Sequence, residues 1–290
     1  MISRDSKLAL VLAGGGLAGA VYEIGALRAI DDLLVDRTVN DFDIYVGTSA
    51  GALVAASLAN GLSPESILRA IEGSHPEIRP VQRSDIFQFN TAEFFRQSLG
   101  LPRTLLGAWS HYLCHLDDMT VVDLLWSLSE ALPSALYDGE ALERYVCQVL
   151  STPGCCDGFS DLARDLFIIA TDLDTGERAV FGPTEHSGVP ISRAVAASSA
   201  LPLVYKPVRI GANEYVDGGL RGTASLDLAI EQGAKLVICI NPLVPYDNRS
   251  RDSIPFLGPD GGYLSEKGAQ FIASQVARIF SHAGLHYHVK

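Results

Sequence analysis

Residues 43–60 read Asp43-Ile-Tyr-Val-Gly47-Thr-Ser49-Ala-Gly51-Ala-Leu-Val-Ala-Ala-Ser-Leu-Ala-Asn60. A short β-friendly run (Asp43 to Gly47) leads into Gly47-Thr-Ser49-Ala-Gly51. A helix of small apolar residues (Ala50 to Asn60) leads out, with Gly61 suited to stop it. The string G-x-S-x-G alone is common in Gly- and Ser-rich sequence, but a buried strand before it and a helix after it predict a nucleophile elbow. The reason is steric: the serine sits at a strained turn, so its neighbours must be small. The helix then directs its partial positive charge at the serine oxygen. The competing reading is a tight strand–helix turn carrying an idle serine.

The strand-then-helix rhythm extends outward on both sides, which predicts an α/β chain built on a mostly parallel sheet. Leu8 to Ala13 reads as a strand of the fully buried type, and Ala20 to Leu34 as a helix with Val21, Ile24, Leu27, Ile30 and Leu34 at helical spacing. Further along, Leu166 to Ala170 and Leu236 to Ile240 read as buried strands. Ile191 to Ala200 reads as a helix stopped by Pro202, and Ser225 to Gln232 as a short helix. Val208-Arg-Ile210 and Glu214-Tyr-Val216 flank Gly211-Ala-Asn213, a hairpin signal.

Between the first strand and its helix lies Gly14-Gly-Gly-Leu-Ala-Gly19, which fits G-x-G-x-x-G through Gly14, Gly16 and Gly19. One reading is a Rossmann loop binding NAD or FAD in an oxidoreductase. That reading asks for an acid at the end of the next strand, where this chain has Gly47. The other reading is an oxyanion hole, in which Gly14, Gly15 and Gly16 bring backbone N–H donors against a tetrahedral intermediate.

A nucleophilic serine needs a base. None of the seven histidines (His75, His111, His115, His186, His282, His286, His288) stands in a strand-end or glycine-rich setting. Asp217, in Tyr215-Val-Asp217-Gly218-Gly219, does; a solvated Asp-Gly turn is the other reading of that string. Together the blocks resemble the patatin-like phospholipases, lipid acyl hydrolases with a Ser-Asp dyad. Gly14 to Gly19 is similar to the family's oxyanion block, Gly47 to Gly51 to its elbow, and Asp217-Gly218-Gly219 to its D-G-[GA] block. Ala197-Ser198-Ser199-Ala200-Leu201-Pro202 is similar to its A-S-x-A-x-P stretch.

The resemblance implies a three-layer α/β/α sandwich and ester hydrolysis with Ser49 as nucleophile and Asp217 as general base. It implies no metal and no cofactor. The implied partner is a lipid or acyl ester, met by a cytoplasmic protein with transient contact at a membrane surface. A catalytically silent scaffold is the remaining alternative. One position departs: the family's glycine block usually carries Arg or Lys where this chain has Ala18, which removes a partner for a phosphate head group. Arg193 and Arg221, far along the sequence, are the candidate substitutes, and the sequence does not show that either reaches that place.

Composition agrees with a folded, soluble class. The 290 residues are 48% hydrophobic and 19% charged, too apolar for disorder, and 22 Lys+Arg against 34 Asp+Glu give −12. That balance excludes nucleic acid and a general attraction to anionic lipid. Two stretches imitate targeting signals, residues 1–20 a leader and Ile44 to Pro64 a membrane span. Three glycines interrupt the first and Thr48, Ser49, Ser57 and Asn60 the second, so both read as buried core. The five irregularly spaced cysteines (Cys114, Cys147, Cys155, Cys156, Cys239) read as free thiols of a reducing compartment.

Blocks more than 160 residues apart must meet in one site, so residues 8–245 are expected to form one catalytic domain. Residues 78–136, with Trp109, Trp126 and Phe94-Phe95, are the expected helical insertion and candidate lid. Residues 246–290 are the expected C-terminal helical extension, where Phe271, Ile272, Val276 and Ile279 keep a helical period. No stop signal precedes Lys290, so the natural chain is expected to continue beyond it.

Overall fold

The computed structural model describes residues 6–91, 95, 134–222, 224–251 and 261–288. Strand β1 (Leu8–Leu12) is buried along its whole length, as a continuous apolar run between two parallel partners must be. Those partners are β2 (Ile44–Thr48) and β9 (Leu236–Ile240). On its other side β2 pairs in parallel with the first half of β4 (Asp165–Asp172). The rest of the sheet is antiparallel: β5 (Arg178–Phe181) and β8 (Asn213–Asp217) both pair with β4, and β7 (Val208–Ile210) pairs with β8. The sheet is therefore mixed, parallel over β4, β2, β1 and β9 and antiparallel beyond. The expected hairpin forms, with a two-residue turn in which Gly211 takes φ +64°.

Strand β4 has three partners and only two edges, and the register decides how they share. β2 covers residues 165–169, β5 covers 168–171 and β8 covers 170–172. β5 overlaps both others, so it holds one edge alone and β2 and β8 share the other. They meet end to end there: Thr48 lies opposite Ile169 and Asp217 opposite Ala170.

Helices cover both faces, giving three α/β/α layers. On one face Leu10, Leu12, Tyr45, Leu166 and Ile168 pack in one cluster with residues of α1 (Gly16–Asp31), α2 (Ala50–Ala59), α3 (Pro64–Glu72), α5 (Glu140–Leu150) and α6 (Ile191–Ser198). A four-residue α4 (Arg83–Ile86) precedes α5. On the other face Ala9, Val11, Ile44, Val46, Phe167 and Ile169 pack with Leu228 and Ala229 of α7 (Leu226–Glu231). A long α8 (Ala269–His288) follows, and β3 (Ala135–Tyr137) pairs with β6 (Leu203–Tyr205) in a separate two-stranded sheet. No helix of the described residues is long and apolar enough to cross a membrane. Cys147, Cys155, Cys156 and Cys239 are free thiols. Most of the expected insertion, including Trp109, Trp126 and Phe94, lies outside the described residues.

Two helices differ from their sequence reading. α1 starts at Gly16, inside the glycine block, because Gly15 and Gly19 press against Pro242 and a Cβ on Gly19 would lie 3.1 Å from its ring. It stops at Asp31, whose carboxylate accepts the Val39 N–H at 2.7 Å and turns the chain back. α6 ends at Ser198 rather than Ala200, and the chain unwinds toward Pro202.

The earlier start of α1 goes with a buried face that keeps Ile24 and Leu27, loses Val21 and gains Gly19 and Glu23. Gly19, Glu23, Ile24 and Leu27 face inward, while Val21 is 59% exposed. Glu23 is fully buried, and neither carboxylate oxygen has a hydrogen-bond partner among the described residues. Burial pushes its pKa up to about 9, so it is held as the neutral acid at pH 7. The unfolded chain loses this proton above about pH 4.5. The folded chain keeps it, so stability is full at low pH and drains away as pH rises toward 9. Glu23→Gln is expected to raise stability at pH 7 by up to about 3 kcal/mol and to flatten the pH dependence. Thermal unfolding at pH 5 and pH 8 measures both effects.

Candidate active site

Ser49 stands between β2 and α2 with φ +54° and ψ −123°, a backbone conformation that costs a non-glycine residue about 1–3 kcal/mol. The fold accommodates the turn by close approach. A Cβ on Gly51 would lie 2.5 Å from the Leu12 carbonyl oxygen, and one on Gly47 would lie 2.6 Å from Ala52 Cα. Neither position admits a side chain, and the helix can therefore turn away from the strand within two residues.

The serine backbone is tied from a distance. Its N–H donates to Ser198 Oγ at 2.7 Å, and Ser198 Oγ donates to the Ile169 carbonyl at 2.6 Å. Ser199 Oγ donates to the Ser49 carbonyl at 3.3 Å, and the Asp217 N–H to the Ala200 carbonyl at 3.0 Å. The stretch from Ala197 to Pro202 thus braces both the elbow and the strand that carries Asp217. Sequence reading assigned this stretch no task. Its available signal was Ser198, a polar residue in a helix whose neighbours Ala194, Val195, Ala196 and Ala197 are all buried.

The Ser49 hydroxyl donates to Asp217 Oδ2 at 2.6 Å, and both residues are buried. Asp217 Oδ1 accepts the Gly219 N–H at 2.7 Å, its carbonyl accepts from Thr171 Oγ1 at 3.1 Å, and Gly218 backs onto the Ile169 carbonyl. Burial pushes the Asp217 pKa up to about 6, against the smaller opposing effects of the Ser49 and Gly219 hydrogen bonds. A carboxylate so tuned is ionised at neutral pH yet basic enough to accept a proton. His75 turns Nδ1 to the Glu77 and Ile78 N–H groups, and His186 lies against Phe181 and Tyr215.

Gly14 lies directly against Ser49, where a Cβ would be 3.2 Å from the serine Cβ. Among the described residues the Gly14 and Gly15 N–H groups donate to no backbone acceptor, and Gly16 opens α1 with a free first-turn N–H. Such donors beside a nucleophile can hold a developing oxyanion. β2 ends at Thr48 and is followed by Ser49, so its tip offers no acid for a dinucleotide ribose. Of the residues singled out in sequence, Ser49, Asp217, Gly14, Gly47, Gly51, Gly218 and Gly219 converge on this place, whereas Gly15 and Gly19 pack on Pro242.

A family model for patatin-like phospholipases matches residues 10–230. The chain belongs to that family. It is 28% identical over 221 residues to the uncharacterized protein YqhO of Bacillus subtilis, spanning 72% of this chain and 62% of that one. It is 24% identical over 221 residues to a cGAMP-activated phospholipase of Pseudomonas aeruginosa, spanning 74% of this chain and 53% of that one. The chain thus covers less than two thirds of either relative's length. Among solved structures VipD of Legionella pneumophila aligns over 75% of this chain and 46% of its own, at 18% identity and a TM-score of 0.44.

Ser198→Ala leaves two buried groups, the Ser49 N–H and the Ile169 carbonyl, without this partner. We expect a stability loss of about 1–3 kcal/mol. Slower labelling of Ser49 by a fluorophosphonate in the still-folded variant would show that the elbow itself has loosened.

Proposed function

We propose that the protein is a serine hydrolase of lipid carboxylic esters, working through Ser49 and Asp217 without histidine. The observation that carries this reading is the 2.6 Å bond from the Ser49 hydroxyl to a buried Asp217 whose pKa is pushed up to about 6. Family membership supports the lipid ester as substrate class.

In this mechanism Ser49 Oγ attacks the ester carbonyl while Asp217 takes the hydroxyl proton. The carbonyl oxygen becomes an oxyanion held by the N–H groups of Gly14 to Gly16. The tetrahedral intermediate expels the alcohol, which leaves with the proton from Asp217, and an acyl-Ser49 remains. Water then attacks that ester while Asp217 takes one of its protons, and Asp217 returns that proton to Ser49 Oγ as the fatty acid leaves, restoring the starting dyad.

The domain follows the same reading: catalysis in residues 8–245, with residues 78–136 an insertion within it that lies mostly outside the described residues, and 246–290 as an extension. We place the protein in the cytoplasm, with transient contact at a lipid surface. Leu17, Leu201, Leu203 and Leu220 support that contact. Each is exposed: Leu17 at the start of α1 beside the glycine block, Leu201 and Leu203 from the end of the Ser198 brace to the start of β6, and Leu220 in the 3₁₀ turn after Asp217. With a net charge of −12, approach through apolar side chains suits a neutral surface better than an anionic one.

Ser49→Ala and Asp217→Asn are each expected to lower kcat/KM on a short-chain glycerolipid by about 10⁴-fold or more while the fold survives. Substantial activity in either purified variant removes the dyad, and failure of a fluorophosphonate to label Ser49 favours a silent scaffold. The base must be ionised, so kcat/KM of the wild type should fall tenfold per pH unit below about pH 6. A profile with its lower limb near pH 4 would contradict the assignment of Asp217 as base.

A further inference from the structure

The 3₁₀ turn Gly218–Leu220 follows Asp217 directly and delivers Arg221 to the rim of a cavity of about 370 Å³. Its lining is Thr171, Gly176, Leu220 and Arg221. The cavity adjoins the site through Thr171, whose hydroxyl holds the Asp217 carbonyl. Register fixes the reach: Thr171 is two residues beyond Ile169, the partner of Thr48, and Ser49 comes next on β2. With strands about 4.8 Å apart and a rise of about 3.3 Å per residue, the cavity wall begins within roughly 10 Å of the serine. That is the span between an ester carbonyl and a substituent one glycerol unit away.

Charge on these elements is allocated unevenly. Arg193 is held by Glu143 and by the Arg209 carbonyl, and Arg178 by Asp227. Among the described residues Arg221 donates once, through Nη1 to the Gly176 carbonyl at 3.2 Å, and is paired with no carboxylate. Its other four N–H donors meet no acceptor among those residues. The nearby Asp172 carboxylate does not compete. Its Oδ2 accepts from Asn213 and its Oδ1 from the N–H groups of Asp174 and Thr175. Thr171, Gly176 and Leu220 bring no charge of their own.

We infer that Arg221 is the specificity-determining residue of the proposed hydrolase: it binds the phosphate of an ester substrate's head group in this cavity, with Leu220 against the adjoining alkyl part. The inference rests on the Ser49–Asp217 reading for the reaction and on the cavity and its cation for the substrate. A planar guanidinium matches phosphate geometry with two parallel N–H bonds, and a neutral glyceride offers it no partner. Ala18 leaves the start of α1 without a cation, so on these loops the charge comes from the Asp217 side.

The test compares dioctanoylphosphatidylglycerol with dioctanoylglycerol, identical in acyl chains, dispersed in one neutral detergent. The read-out is the ratio of the two kcat/KM values. Arg221→Gln is expected to lower the phospho-to-neutral ratio by about ten- to a hundredfold, and Arg221→Lys to restore part of it. Equal ratios in an active wild type and Arg221→Gln overturn the inference and leave the dyad standing. No hydrolysis by the wild type overturns the dyad. Arg221 is then decided by binding of the same two lipids to Ser49→Ala, where tighter binding of the phospholipid must disappear in Ser49→Ala/Arg221→Gln. Inorganic phosphate separates a head-group site from a free-anion site: inhibition at concentrations as low as the lipid's KM would assign the cavity to the free anion and overturn the head-group reading.

Discussion

Everything at the site depends on two strands meeting end to end on one edge of β4. β2 runs parallel to β4 as far as Thr48, opposite Ile169; β8 runs the other way and ends at Asp217, opposite Ala170. Neither strand can continue without colliding with the other. Each chain must therefore leave the sheet at the same place, β2 through the Ser49 elbow into α2 and β8 through a 3₁₀ turn at Gly218. The 2.6 Å bond between Ser49 and Asp217 bridges this junction. β1 lies on the other flank of β2 and brings Gly14 against the same serine. Nucleophile, proposed base and proposed oxyanion donors thus arrive from three directions set by sheet order and register.

Holding that junction has a cost that the surroundings offset. Ser49 adopts a positive φ, and Asp217 gives up water for a buried position that disfavours its charge. The brace from α6 answers both, since Ser198 ties the serine backbone to Ile169 while Ala200 accepts the Asp217 N–H. Two hydrogen bonds to the carboxylate, from Ser49 and Gly219, keep its pKa from climbing further. Glu23 shows what burial does without such partners: the pKa of that carboxyl rises to about 9.

Features encoded within a few consecutive residues were legible in the sequence. The strand–Gly–x–Ser–x–Gly–helix string specifies the elbow because the steric demand and the residues that meet it are adjacent. The Asp217-Gly218-Gly219 string marks a strand end for the same reason. The Ser198 brace was not legible, because its partners Ser49 and Ile169 are 149 and 29 residues away and no local pattern names them. In α1 the expected Ile24 and Leu27 face inward and Val21 does not; the start at Gly16, packed on Pro242, adds Gly19 and Glu23 to the buried face, a row that an Ala20 start does not reveal. The antiparallel half of the sheet depends on β4 having three partners, which strand patterns alone do not count.

The end-to-end junction also makes room for the proposed base to be a carboxylate where many serine hydrolases use an imidazole. In a triad the acid orients a histidine, which spans the distance to the serine and carries the proton. Here the two strand ends abut, Asp217 reaches the hydroxyl directly, and no room or need is left for an intervening ring. A carboxylate at its usual pKa near 4 would be a poor acceptor. Because the junction is sealed between α2, α6 and the sheet, desolvation pushes the Asp217 carboxyl up to about 6. The same geometry that shortens the relay supplies the basicity that the shorter relay requires.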